Sequence, residues 1–164
     1  MTPRPCLLWP DKRLRAVARP VETVNDEIRD LWSEMTLIME AMPGVGLAAP
    51  QIGVGLRIAI VDASKERGQV IRMANPEILH ASVRLIEHEE ASPNLPGVSA
   101  VIKRPRAVTL RYMDETGATI ERDLVGLWAI SAQHQIDHLN GRLYVDHLSK
   151  TRRDMLIRRS LKLR

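Results

Sequence analysis

His134 and His138 stand four residues apart in a segment, residues 124–139, that reads as a helix stopped by Asn140-Gly141. At that spacing both imidazoles project from one face of the helix. Two histidines so placed are ready-made ligands for a divalent metal. In His-Glu-x-x-His enzymes the Glu after the first His is the general base acting on metal-bound water. Here that position is Gln135. The pair alone is weak evidence, because surface and core histidines take the same spacing without a metal.

The rest of the chain supplies the walls around that helix. Residues 25–42 read as another helix, with Ile28, Leu31, Trp32, Met35, Ile38, Met39 and Met42 recurring at threes and fours. Asn25 is its N-cap, Asp26 and Glu27 suit the positive end of its dipole, and Pro43-Gly44 ends it. Strands are expected at 56–62, 70–74, 84–92, 98–103 and 107–113, with a hairpin turn at Asp114-Glu115-Thr116-Gly117 leading into 118–123. From Lys150 onward Met155, Ile157 and Leu161 fall at helical spacing with basic residues between them. The order of helix, strands, helix and basic tail predicts an α+β domain, antiparallel strands wrapped around the central helix that carries the histidines. Residues 1–149 form that domain, and 150–164 a basic, helical C-terminal tail.

At 164 residues the chain is the size of one ordinary domain. With three Trp, two Tyr and no Phe, the core depends on Leu, Ile, Val and Met. No apolar run approaches the ~20 residues that span a bilayer, and the first ten residues do not have the plan of a signal peptide. The single Cys6 makes no internal disulfide. A cytoplasmic setting away from membranes follows. The net charge of +4 is uneven: residues 149–164 hold seven basic residues against Asp154, so the remainder is about −2.

Two further segments carry candidate chemistry. Gly44-Val45-Gly46-Leu47-Ala48-Ala49-Pro50-Gln51-Ile52-Gly53 has paired glycines that let backbone approach a ligand, although on local physics it reads as a tight turn entering a core strand. Glu90-Ala91-Ser92-Pro93-Asn94-Leu95-Pro96-Gly97 reads as a break in a strand. Taken with Ser131 to Gly141, the three segments resemble the motifs of the peptide deformylase family. The first matches in full. The second resembles Glu-Gly-Cys-Leu-Ser, and the third His-Glu-x-x-Asp-His-Leu with one substitution. Landmarks from Pro10-Asp11-Lys12 through Asn75-Pro76 and Arg104-Pro105 to Tyr144-Val145-Asp146-His147 extend the resemblance over nearly the whole chain.

The resemblance implies a metallohydrolase that removes the N-terminal formyl group from nascent formyl-methionyl proteins. In the family one iron or zinc ion is held by the Cys of the second motif and both His of the third. A Glu is the base, and a Gln side chain and a Leu backbone N–H hold the oxyanion. By position this chain keeps His134, His138 and Gln51, with Gly44, Val45, Gly46 and Leu95 implied at the substrate. Ser92 replaces the Cys, Gln135 the base Glu and Pro93 the oxyanion Leu, while Ala91 and Asn94 replace the neighbouring Gly and Ser. A neutral hydroxyl is a poor substitute for a thiolate. An amide does not accept a proton at neutral pH. Proline has no N–H.

Three such changes predict a deformylase-like protein that is catalytically deficient and binds its metal, zinc or iron, weakly or not at all. Two alternatives stand beside it: an active metallohydrolase with altered metal ligation or substrate, and an interaction protein that binds nascent peptides or, through its basic tail, the ribosome. In a regular strand His88, Glu90 and Ser92 share a face. Glu90 is expected to be structural there and to pair with Arg104.

Overall fold

The computed structural model describes residues 2–164. Helix α1 (Asp26–Ala41) forms where the apolar residues recur, and Ile28, Leu31, Trp32, Met35, Ile38 and Met39 are buried along one side. The Asn25 side chain accepts from the Ile28 N–H at 3.1 Å, satisfying one of the free donors of the first turn. Trp32, Met35 and Met39 are wholly removed from water, and each contributes roughly 1.5–3 kcal/mol relative to exposure.

Among the described residues there are seven strands: β1 (Gly46–Ala48), β2 (Ile58–Val61), β3 (Ile71–Ala81), β4 (Leu85–Glu90), β5 (Ala100–Pro105), β6 (Ala107–Met113) and β7 (Thr119–Val125). They pair antiparallel, as one sheet of order β1-β2-β3-β6-β7 and a ribbon of β4 and β5. Because side chains alternate along a strand, β2 serves two cores at once. Ile58 and Ile60 pack toward α1, and Ala59 and Val61 toward α2 (Leu127–Leu139). Ten of the thirteen residues of α2 are buried. It runs across the large sheet and touches β5, so the expected central helix is present.

A third cluster joins Leu95, Val98, Ala100 and Ile102 to Leu143, Tyr144 and Val145, and α3 (Lys150–Lys162) lays Leu156 and Ile157 on it. Ser160 is buried and donates from Oγ to the Pro96 carbonyl at 2.8 Å. Arg164 reaches the Trp9 carbonyl at 2.7 Å. Of the three tail residues read at helical spacing, Ile157 packs inward, whereas Met155 and Leu161 are exposed.

Other boundaries move for local reasons. Leu124 and Val125 belong to β7, and the chain turns at Gly126 (φ +63°) before α2 begins. The strand expected at 70–74 continues to Ala81, because β6 pairs with its second half. β4 ends at Glu90, so Ser92 lies beyond the ribbon and shares no strand face with His88. The hairpin turn forms as expected, with Asp114 accepting from Thr116 and Ala118. Gly141 (φ +73°) ends α2; a Cβ there would lie 2.4 Å from the Arg15 carbonyl oxygen. No described helix is long and apolar enough to cross a membrane.

Candidate functional site

A cleft of about 480 Å³ lies between β1, the first half of α2 and the segment following β4. Gly44, Val45, Gly46, Gln51, Ser92, Pro93, His134 and Gln135 all line it, so the three sequence segments meet in one place. Met42, Leu127 and Ile130 add an apolar wall that the motifs did not point to. Leu127 and Ile130 were legible in principle, since they stand seven and four residues before His134 on one helical face. Leu95 lies elsewhere, buried in the third cluster against Leu143, Tyr144 and Val145.

The histidines occupy the inner turns of α2. Glu90 is buried and ionised. Burial pushes its carboxyl up, but hydrogen bonds from His134 and Arg104 and the guanidinium charge outweigh that and bring it down to about 2. His134 therefore donates from Nδ1 to Glu90 Oε1 at 2.9 Å, which turns its Nε2 toward His138. His138 Nε2 lies 3.2 Å from His134 Nε2. Burial, reinforced by neighbouring His134, pushes the His138 imidazole well below its ordinary value, so it is neutral. Its Nδ1 is buried without a partner.

Behind the pair runs a chain of charges. Arg104 holds Glu90 with two bonds, 2.6 and 2.9 Å, and Asp137 with a third at 3.0 Å. His147 Nε2 closes on the same Asp137 oxygen at 2.8 Å. The Glu90–Arg104 pair anticipated from sequence is thus present, and it anchors β4 and β5 to the helix that carries both histidines.

The residues fit part of a metal centre. Two Nε2 atoms 3.2 Å apart suit imidazoles that each lie ~2.0–2.1 Å from one tetrahedral ion. Catalytic centres of this kind have three protein ligands. Among the described residues no three His, Cys, Asp or Glu side chains converge. Ser92 Oγ is hydrogen-bonded with Asn94 and Gln51. Two imidazoles are therefore in place and an anionic third ligand is not.

On the opposite wall Gln51 is fixed at both ends. Its Oε1 accepts from the Ala48 N–H at 2.9 Å, and its Nε2 donates to Asn94 Oδ1 at 2.8 Å and, more weakly, to Ser92 Oγ at 3.5 Å. Gln135 is 4% exposed, and its Oε1 is buried with no partner. It lies directly on Gly46: a Cβ there would come within 2.5 Å of both Gln135 Nε2 and Ser131 Oγ. Only glycine admits this approach, and Ser131 fastens the same contact by donating to the Val45 carbonyl at 2.9 Å.

Residues 3–154 match the model of the family described as "Polypeptide deformylase". A peptide deformylase of Methylocella silvestris is 43% identical over 161 residues, covering 95% of this chain and 82% of that protein. One of Rhizobium meliloti is 42% identical over 164 residues, covering 99% and 94%. The crystal structure of a peptide deformylase from Legionella pneumophila superposes with a TM-score of 0.92 at 40% identity, covering 99% of this chain and 95% of that one.

Proposed function

The chain belongs to the polypeptide deformylase family, and from that premise we propose that its cleft receives the N-terminal residues of nascent formylated proteins without hydrolysing them. The observation that carries this reading is Gln135. Where the family places its base, this chain has a buried amide with an unpartnered oxygen. An amide presents a donor and an acceptor to a ligand and takes no proton from water at neutral pH. Two other substitutions support the same reading. Pro93 offers no main-chain N–H for an oxyanion. Ser92 offers a neutral hydroxyl in place of a thiolate.

What remains suits binding. Gly44, Val45 and Gly46 form an approachable backbone rim on the cleft. The family's chemistry uses one divalent ion, zinc or iron. His134 and His138 supply two ligands for it, so it is held weakly or not at all. The test pairs formate release from a formyl-Met peptide with binding of the same peptide to the full-length protein. Binding without turnover supports the proposal. Robust turnover abolished by His134→Ala overturns it.

That second outcome would favour an active hydrolase with altered metal ligation, a reading supported by the convergence of the two Nε2 atoms and the Glu90 bond that orients His134. A further partner is suggested by the tail from residue 150. Arg152, Arg158, Arg159 and Lys162 face solvent on α3, a pattern suited to phosphate contacts on ribosomal RNA. Such a partner places the protein in the cytoplasm.

A further inference from the structure

We infer that Asn94 disables the third-ligand position of this cleft by closing Ser92 and Gln51 into a saturated hydrogen-bond clasp. Asn94 is wholly buried, and backbone groups dictate which way its amide faces. Its Nδ2 donates to the Leu7 carbonyl at 2.6 Å, so the amide nitrogen must lie on that side and Oδ1 on the other. Gln51 is oriented in the same way, because the Ala48 N–H requires its Oε1. The two orientations leave Asn94 Oδ1 facing two donors, Gln51 Nε2 at 2.8 Å and Ser92 Oγ at 3.0 Å. Both of its lone pairs are used.

The consequence falls on Ser92. A hydroxyl has one proton and two lone pairs. Its proton goes to Asn94 Oδ1. Its lone pairs receive the Asn94 backbone N–H at 3.3 Å and the second Gln51 N–H at 3.5 Å. A cation beside His134 and His138 would have to displace one of these contacts to reach Ser92 Oγ. The same geometry acts on a restored ligand. A thiolate at position 92 would face a carbonyl oxygen whose direction Leu7 forbids it to reverse, and two partial negative charges in contact in a buried site repel. The disabled metal centre is therefore a property of three residues, and replacing Ser92 alone does not undo it. The inference rests on the reading that the metal position is impaired, and the two fail separately in the following test.

Full-length wild type, Ser92→Ala, Ser92→Cys, Asn94→Ser and Ser92→Cys/Asn94→Ser are titrated with Zn(II) against a competing chelator. Each is also titrated with Co(II), read by the thiolate-to-cobalt absorption band. The double variant is expected to bind Zn(II) at least tenfold more tightly than Ser92→Cys and to show the cobalt band at one equivalent. Equal affinity of Ser92→Cys and the double variant would overturn the clasp, as would tight wild-type binding lost in Ser92→Ala. Tight wild-type binding kept in Ser92→Ala would overturn the impaired-metal reading and uphold Ser92 as no ligand. Should Asn94→Ser fail to fold, wild type itself carries the test. The Gln51 and Asn94 side-chain NH2 protons are expected to exchange slowly in NMR, and fast exchange refutes the clasp.

Discussion

Replacing Arg104 by Met strands two carboxylates that the fold has taken out of water. The Glu90 side chain is 4% exposed and that of Asp137 15%. Arg104 satisfies the first with bonds of 2.6 and 2.9 Å and the second with one of 3.0 Å. Removing one partner of a buried pair costs ~3–5 kcal/mol, because the other charge is left uncompensated. Titration sets an upper bound on the Glu90 part, because His134 shares with Arg104 in lowering that carboxyl. The Glu90 carboxyl is lowered from 4.5 to about 2, and that interval is worth on the order of 3 kcal/mol at neutral pH. A lowered carboxylate contributes stability that is complete above pH 4.5 and is lost as pH falls toward 2. In Arg104→Met burial pushes the carboxyl up unopposed by the guanidinium, so wild type and variant converge over that acid range. Urea unfolding followed by tryptophan fluorescence measures this directly. With a denaturant slope of ~1–3 kcal/mol per molar urea, the midpoint at pH 7 falls by roughly 1–5 M. Arg104→Lys recovers only part of the loss, since it keeps the charge without the fork. A loss under about 1 kcal/mol for Arg104→Met at pH 7, or a difference unchanged down to pH 3, would refute the view that this pair holds the histidine helix to the β4–β5 ribbon.

Wild type is expected to release no detectable formate, since loss of a base costs ~10²–10⁴-fold and of one oxyanion donor ~10²–10³-fold, although such losses do not simply multiply. Gln135→Glu alone stays inactive at matched metal loading; Gln135→Glu with Ser92→Cys and Pro93→Leu regains some turnover, and adding Asn94→Ser raises it further. Gly46→Ala forces a methyl against Gln135 and Ser131, costing ~1–3 kcal/mol by overpacking and weakening formyl-Met peptide binding in the same preparation. Ser160→Ala loses the bond to Pro96 and lowers stability by ~0.5–1.5 kcal/mol in thermal melts. Ribosome co-sedimentation weakens as salt rises and as Arg158, Arg159 and Lys162 are changed to Gln; binding indifferent to both removes the tail from the interface.

Local pattern determined the two principal helices and most of the strands. The recurrence from Ile28 to Met39, the Asn25 cap and the stop at Gly141 are short-range signals, and each has a physical counterpart in the fold. The opposite charges of Glu90 and Arg104 could be paired from sequence because an ionised group buried in a strand needs a partner. Tertiary structure alone decided the rest. Residues 124 and 125 suit a strand or a helix equally, and pairing with β6 chose the strand. Which side of α3 packs was settled by the cluster around Leu143 to Val145, which selects Leu156 and Ile157 and leaves Met155 and Leu161 in water. Gly46 looked like a turn residue, whereas the approach of Gln135 from 89 positions away is what demands it. In sequence Asn94 is simply the residue that replaces the Ser at the end of a motif. Its grip on Ser92 depends on the Leu7 carbonyl, 87 residues earlier in the chain. Periodicity and capping report what a segment does with its neighbours in sequence, and a buried hydrogen-bond ring is closed by groups that only folding brings together.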